Sequence, residues 1–147
     1  MGRNKVLIVE DEPVQIKVLT VGLAAEGFDV AVARDGVQAV AMVRKEQPHV
    51  VLLDIGLPGG DGYVVITRLK AMSHHRGLPI IAVSARAADT NRRRMLELGA
   101  DDYFEKPVSL PLLVDRIKGL LGLSIAGSAV AGTPTAAGSR PPPPQAA

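Results

Sequence analysis

The chain contains no cysteine. Disulfides and thiolate zinc sites are therefore excluded, and the composition is compatible with a reducing cytoplasm. Aromatic residues make up only 3% of the sequence, while hydrophobic residues reach 47%. A core must accordingly be aliphatic, built from Val, Leu, Ile and Ala. The 147 residues suffice for one domain that needs no staples. A formal net charge of +2 is too small to argue for nucleic acid. No apolar run approaches the length of a membrane span. The start, MGRNKVLIVEDE, runs straight into charge and does not read as a secretory signal.

Composition changes at Ser124, where small residues and proline replace periodic apolar ones. Residues 1–123 are read as the folded domain and 124–147 as a disordered Ala/Gly/Pro-rich tail. The tail contains a polyproline II segment, Pro141 to Pro144. It is taken as an inert extension, with a docking peptide for a proline-reading domain as the alternative.

Five short aliphatic runs recur: KVLIVE (5–10), FDVAVA (28–33), HVVLLD (49–54), PIIAVS (79–84) and DDYFE (101–105). They are continuously apolar rather than alternating, which fits strands covered on both faces of a parallel sheet. Helical segments lie between them. The first follows Pro13 and stops at Gly27, with Val14, Val18, Val21 and Ala25 at helical spacing. Others are expected near 36–47, with Asp35 as cap and Pro48 as stop, and near 63–72, 90–98 and 110–121. Alternating strands and helices imply an α/β doubly wound domain with right-handed crossovers. In such sheets, function gathers at the carboxyl ends of the strands.

Those ends carry the chemistry. The first run ends in Glu10-Asp11, the third in Asp54, the fourth in Ser84, and Lys106-Pro107 follow the fifth. Three crowded carboxylates repel one another and need a counter-charge. Oxygen ligands at a rim suit a hard cation such as Mg²⁺, and Lys106 adds a second positive charge. A carboxylate beside cations and a hydroxyl suits phosphoryl transfer, in which an Asp attacks phosphorus to form an aspartyl phosphate.

The motifs VEDE, LLDIGLPGGDGY, VSA and EKP, in this order, resemble the receiver domain of two-component response regulators, over about Lys5 to Leu121. The resemblance implies a flavodoxin-like, doubly wound, five-stranded parallel sheet of order 2-1-3-4-5 with five helices. It implies that Asp54 is the phosphoacceptor and also a metal ligand. Asp11 would bind Mg²⁺ directly, Glu10 through water, and Gly56 by its backbone carbonyl. Ser84 and Lys106 would hold the phosphoryl group, Ser84 and Tyr103 would act as the switch pair, and Lys106-Pro107 would be cis. The chain would be a signalling receiver and not a turnover enzyme, catalysing only its own phosphorylation and dephosphorylation. Its partners would be a histidine kinase or histidine phosphotransfer protein and a downstream protein. No direct nucleic-acid or membrane contact is expected, and the state would be a monomer or a phosphorylation-dependent dimer. Output would pass through the surface of the fourth helix, fifth strand and fifth helix.

Some residues depart from the family's commonest pattern, among them Gly56, Gly60 and Arg86. Gly56 is expected to leave the route of attacking water open and Arg86 to cover part of it. Other features read as structural. Asp61-Gly62 marks a turn and helix entry, His74-His75 an exposed loop, and Arg92-Arg93-Arg94 a solvated helix face. Two rivals remain open. One is a scaffold receiver that never uses phosphorylation. The other is a haloacid-dehalogenase-type phosphatase, which wants a second acid where Gly56 stands.

Overall fold

The computed structural model describes residues 3–57, 62–72, 77–85 and 89–123. Strands and helices alternate along the chain: β1 (Lys5–Val9), α1 (Pro13–Ala25), β2 (Asp29–Ala33), α2 (Gly36–Glu46), β3 (Val50–Asp54), α3 (Gly62–Ala71), β4 (Ile80–Ser84), α4 (Asp89–Glu97), β5 (Asp102–Glu105) and α5 (Leu110–Leu120). The strands form one parallel sheet in the order β2-β1-β3-β4-β5. This is the doubly wound, flavodoxin-like order that the resemblance implies. The proposed tail, His74-His75, Asp61, Gly60 and Arg86 lie outside the described residues.

The continuous apolar runs become strands because both sheet faces are covered. Successive side chains point to opposite faces. Leu7, Val9, Val51, Leu53, Ile80 and Ala82 pack on one face with residues of α2, α3 and α4. Val6, Ile8, Val50, Leu52 and Ile81 pack on the other, beneath α1 and α5. All five residues of β3 and of β4 are buried. The helices begin and end on local chemistry. Asp35 accepts a hydrogen bond from the Gln38 N–H at 2.8 Å and caps α2, as its position in the sequence predicts. Glu12 caps α1 by accepting from the Gln15 N–H at 2.9 Å, ahead of Pro13. After α4 the chain passes through Gly99 at φ +118°, a conformation that side chains rarely adopt.

One helix face differs from the simplest reading of the spacing. Val14, Val18 and Val21 are exposed to 66%, 52% and 61%, while Leu19 and Leu23 are the buried residues of α1. The helix is apolar on more than one side. Periodicity therefore marks two stripes, and packing against β1 and α5 selects the longer leucines.

Candidate active site

The ladder continues one residue past several strand ends, and that continuation holds the site. The Glu10 N–H donates to the Ala33 carbonyl at 3.0 Å, and the Ile55 N–H to Val83 at 3.0 Å. The Lys106 N–H donates to the Ser84 carbonyl at 2.8 Å, which ties the residue after β5 to the end of β4. The polar side chains at this rim are thus fixed by backbone pairing and not by loop chance.

Three polar residues are buried there: Glu10, Asp54 and Ser84, at 3%, 8% and 3% exposure. Lys106 Nζ reaches both acids, Asp54 Oδ2 at 3.0 Å and Glu10 Oε1 at 3.2 Å. The second oxygen of each acid has a backbone donor. Gly56 N–H lies 2.9 Å from Asp54 Oδ1, and Glu12 N–H lies 3.2 Å from Glu10 Oε2. Asp54 is therefore oriented from two sides, by an ammonium and by an amide. The Lys106-Pro107 peptide is cis, as the resemblance implies.

Glu10, Asp11 and Asp54 each offer one carboxylate oxygen, and these atoms all lie within 4.8 Å of one another. Burial, and then the charge of Asp54, push the Glu10 carboxyl above its ordinary range, against the Glu12 amide and Lys106. Burial alone would lower the Lys106 ammonium. The hydrogen bond and charge of Asp54, followed by those of Glu10, more than offset it and raise Lys106. The protein's own positive charge is thus committed to two acids while a third, Asp11, stands beside them. An all-oxygen cluster that concentrates negative charge in this way fits a hard divalent cation.

In front of Asp54 opens a cavity of about 390 Å³ bordered by Gly56, Tyr63, Ser84, Ala85 and Lys106. Its floor is a carboxylate and its walls bring a hydroxyl and an ammonium. The arrangement presents a nucleophilic oxygen with donors beside it, as phosphoryl transfer requires.

A family model described as "Response regulator receiver domain" matches residues 6–118. The chain belongs to the response regulator receiver family. The DNA-binding response regulator MtrA of Mycolicibacterium smegmatis is 42% identical over 119 residues, covering 81% of this chain and 51% of that protein. The transcriptional regulatory protein PrrA of Mycobacterium tuberculosis is 41% identical over 117 residues, 80% of this chain and 49% of the relative. This receiver chain therefore spans about half the length of the regulators it matches. Among solved structures, a CheY-like receiver domain protein from Methanospirillum hungatei superposes with a TM-score of 0.76 at 30% identity, covering 82% of this chain and 95% of that one. The receiver domain of the sensor histidine kinase PA1611 from Pseudomonas aeruginosa gives 0.76 at 32% identity, covering 82% and 99%, and holds a magnesium ion in its active-site cleft.

The receiver fold brings Glu10, Asp11, Asp54, Gly56, Ser84 and Lys106 to one rim. Tyr103 is not among the residues that border the cavity over Asp54. It is buried on β5 within the cluster that contains Ala82 and Met95. Two participants escaped the sequence reading. The Gly56 N–H orients Asp54, and an amide leaves no trace in residue identity. Tyr63 lines the cavity. Its only signal was position, directly after the DG helix entry that follows the acid. Among the described residues, no helix is long and apolar enough to cross a membrane.

Proposed function

We propose that the chain is a phosphoryl-accepting receiver that takes its phosphoryl group on Asp54 from a phosphohistidine of a histidine kinase or histidine phosphotransfer protein. The observation that carries this reading is Asp54 itself, buried, ion-paired to Lys106 at 3.0 Å and open to a cavity lined by Ser84. In the step, a carboxylate oxygen of Asp54 attacks phosphorus. The P–N bond breaks and its electron pair leaves with the imidazole. Lys106, already held by both acids, stays to meet a phosphoryl oxygen, and the Ser84 hydroxyl lies on the same wall.

Glu10, Asp11 and Asp54, with the Gly56 carbonyl, would hold a Mg²⁺. When bound, the ion neutralises charge on the phosphoryl oxygens and offsets the mutual repulsion of the acids. Hydrolysis of the aspartyl phosphate later returns Asp54, so the chain acts on itself and turns over no separate substrate. The new group carries about −1.5 to −2 charges and three acceptor oxygens. It draws Ser84, and through the Ser84–Lys106 backbone bond the change reaches β5, Tyr103 and the α4–β5–α5 surface, where a protein partner reads it. This is a population shift between two states, which a phosphorylation-dependent dimer would also register. A kinase charged from ATP operates in the cytoplasm, and we place the chain there.

The test is intact-mass spectrometry after incubation with Mg²⁺ and acetyl phosphate, alongside Asp54→Asn. One Mg²⁺-dependent phosphoryl adduct on the wild type, absent from the variant, is expected. No adduct, together with no response near Tyr103 to beryllofluoride, would remove the reading and leave a scaffold receiver.

A further inference from the structure

Tyr63 is the one aromatic residue among the described residues that line the cavity over Asp54. Its place there is built in by its neighbour. Gly62 lies so close to the strand that a Cβ on it would fall 2.6 Å from Ile55 Cα and 2.9 Å from the Ile55 carbonyl oxygen. Only glycine permits that approach, and it presses the first turn of α3 against the residue that follows Asp54. Tyr63, the next residue, therefore meets the cavity wall. Its ring also packs against the aliphatic cluster on that sheet face. From α4, the Arg94 guanidinium carbon sits 4.8 Å from the ring centroid, within cation–π range. An aliphatic cluster and a cation from a different helix thus hold the ring.

We infer that Tyr63 is a specificity-determining wall of the phosphoryl pocket, admitting thin planar leaving groups and rejecting branched ones, and that Arg94 is the positioning residue that keeps the ring in place. The inference rests on the proposed phosphoryl-accepting role of Asp54. An imidazole or an acetate is flat and slides past a ring wall. A leaving group with branches beside the reacting bond collides with it. The chemistry is the same for every acyl phosphate: the Asp54 oxygen bonds to phosphorus, the P–O bond to the acyl group breaks, and a carboxylate departs with the electron pair. Donors that differ only in branching therefore separate access from reactivity.

The experiment compares acetyl phosphate with trimethylacetyl phosphate by intact mass on the full chain with Mg²⁺. The wild type should favour the acetyl donor strongly. Tyr63→Ala should raise the trimethylacetyl-to-acetyl rate ratio by about ten-fold or more, the size of discrimination that small apolar groups confer in a pocket. Arg94→Ala should raise it by about two- to five-fold, the factor that a cation–π contact at an exposed site is worth, and Arg94→Lys should restore it. The chain has two tyrosines and no tryptophan. In a Tyr103→Phe background Tyr63 is then the sole aromatic emitter of note, and its fluorescence should change on Arg94→Ala. An unchanged ratio in a Tyr63→Ala variant that still accepts acetyl phosphate would overturn the inference and leave the phosphoacceptor intact. If Tyr63→Ala does not fold, Tyr63→Leu keeps an aliphatic contact and carries the same comparison. A wild type that accepts from neither donor and gives no response near Tyr103 to beryllofluoride overturns both readings.

Discussion

Replacing Asp11 by Asn should make the metal-free protein more stable and the Mg²⁺-loaded protein less so. Asp11 is exposed, and no hydrogen bond from Lys106 reaches it; the lysine serves Glu10 and Asp54. Its carboxylate adds charge to a cluster whose ligand atoms lie within 4.8 Å of one another. Two unit charges at that separation repel by about 1 kcal/mol at the dielectric of water and by about 3.5 kcal/mol at an effective value of 20. Exposure of Asp11 favours the lower figure. Asp11→Asn, which keeps the shape and removes the charge, should then gain about 1 kcal/mol in EDTA, a rise of roughly 3–6 °C in Tm for a domain of this size. Mg²⁺ should reverse the order. A ligand at one hundred times its Kd stabilises by about 2.7 kcal/mol, and the variant forfeits most of that. Differential scanning calorimetry of both proteins, with EDTA and with saturating Mg²⁺, reads the sign directly. A variant that melts lower than wild type in EDTA would refute the account of the acids as stored repulsion.

Gly62→Ala should cost about 2–3 kcal/mol in denaturant unfolding, because the new Cβ meets backbone of Ile55 that has no room to yield. It should also slow phosphorylation by disturbing the Gly56 amide on Asp54, and a loss well under 1 kcal/mol would show that the turn is softer than described. Mg²⁺ affinity should fall with pH. Glu10 is held above its ordinary 4.5, so it takes up its proton earlier on acidification and the ion must displace that proton; without metal, the same raised value means a contribution to stability that is complete below 4.5 and lost as pH rises through the folded value. Isothermal titration across pH should show wild-type affinity dropping before that of Glu10→Gln, and matched profiles would contradict it.

The strands were legible because both faces of the sheet are covered. Aliphatic runs with no alternation leave little else to be, and each strand boundary lies within one residue of the reading. The rim acids were legible for a related reason: Glu10 and Asp54 end runs of apolar residues, where a charge has no solvent-facing excuse. The inward face of α1 was less so, since Val14, Val18 and Val21 repeat as regularly as Leu19 and Leu23, and only the packing partner decides between them. The Tyr63–Arg94 stack was invisible because it joins two helices at 31 residues' separation through no shared motif. Likewise, the amide that orients Asp54 belongs to backbone geometry, which residue identity does not encode.

Lys106 meets Glu10 across 96 positions of chain and Asp54 across 52. During synthesis the three acids are therefore all made well before the lysine that balances two of them. A chain that stops short of β5 can gather negative charge and attract a cation, but it lacks the ammonium that ties Glu10 to Asp54. The charge balance of the rim is completed only once Lys106, directly after β5, has been made and has closed on Glu10 and Asp54. A fragment ending before Lys106 keeps the mutual repulsion of the acids without the ammonium that offsets it.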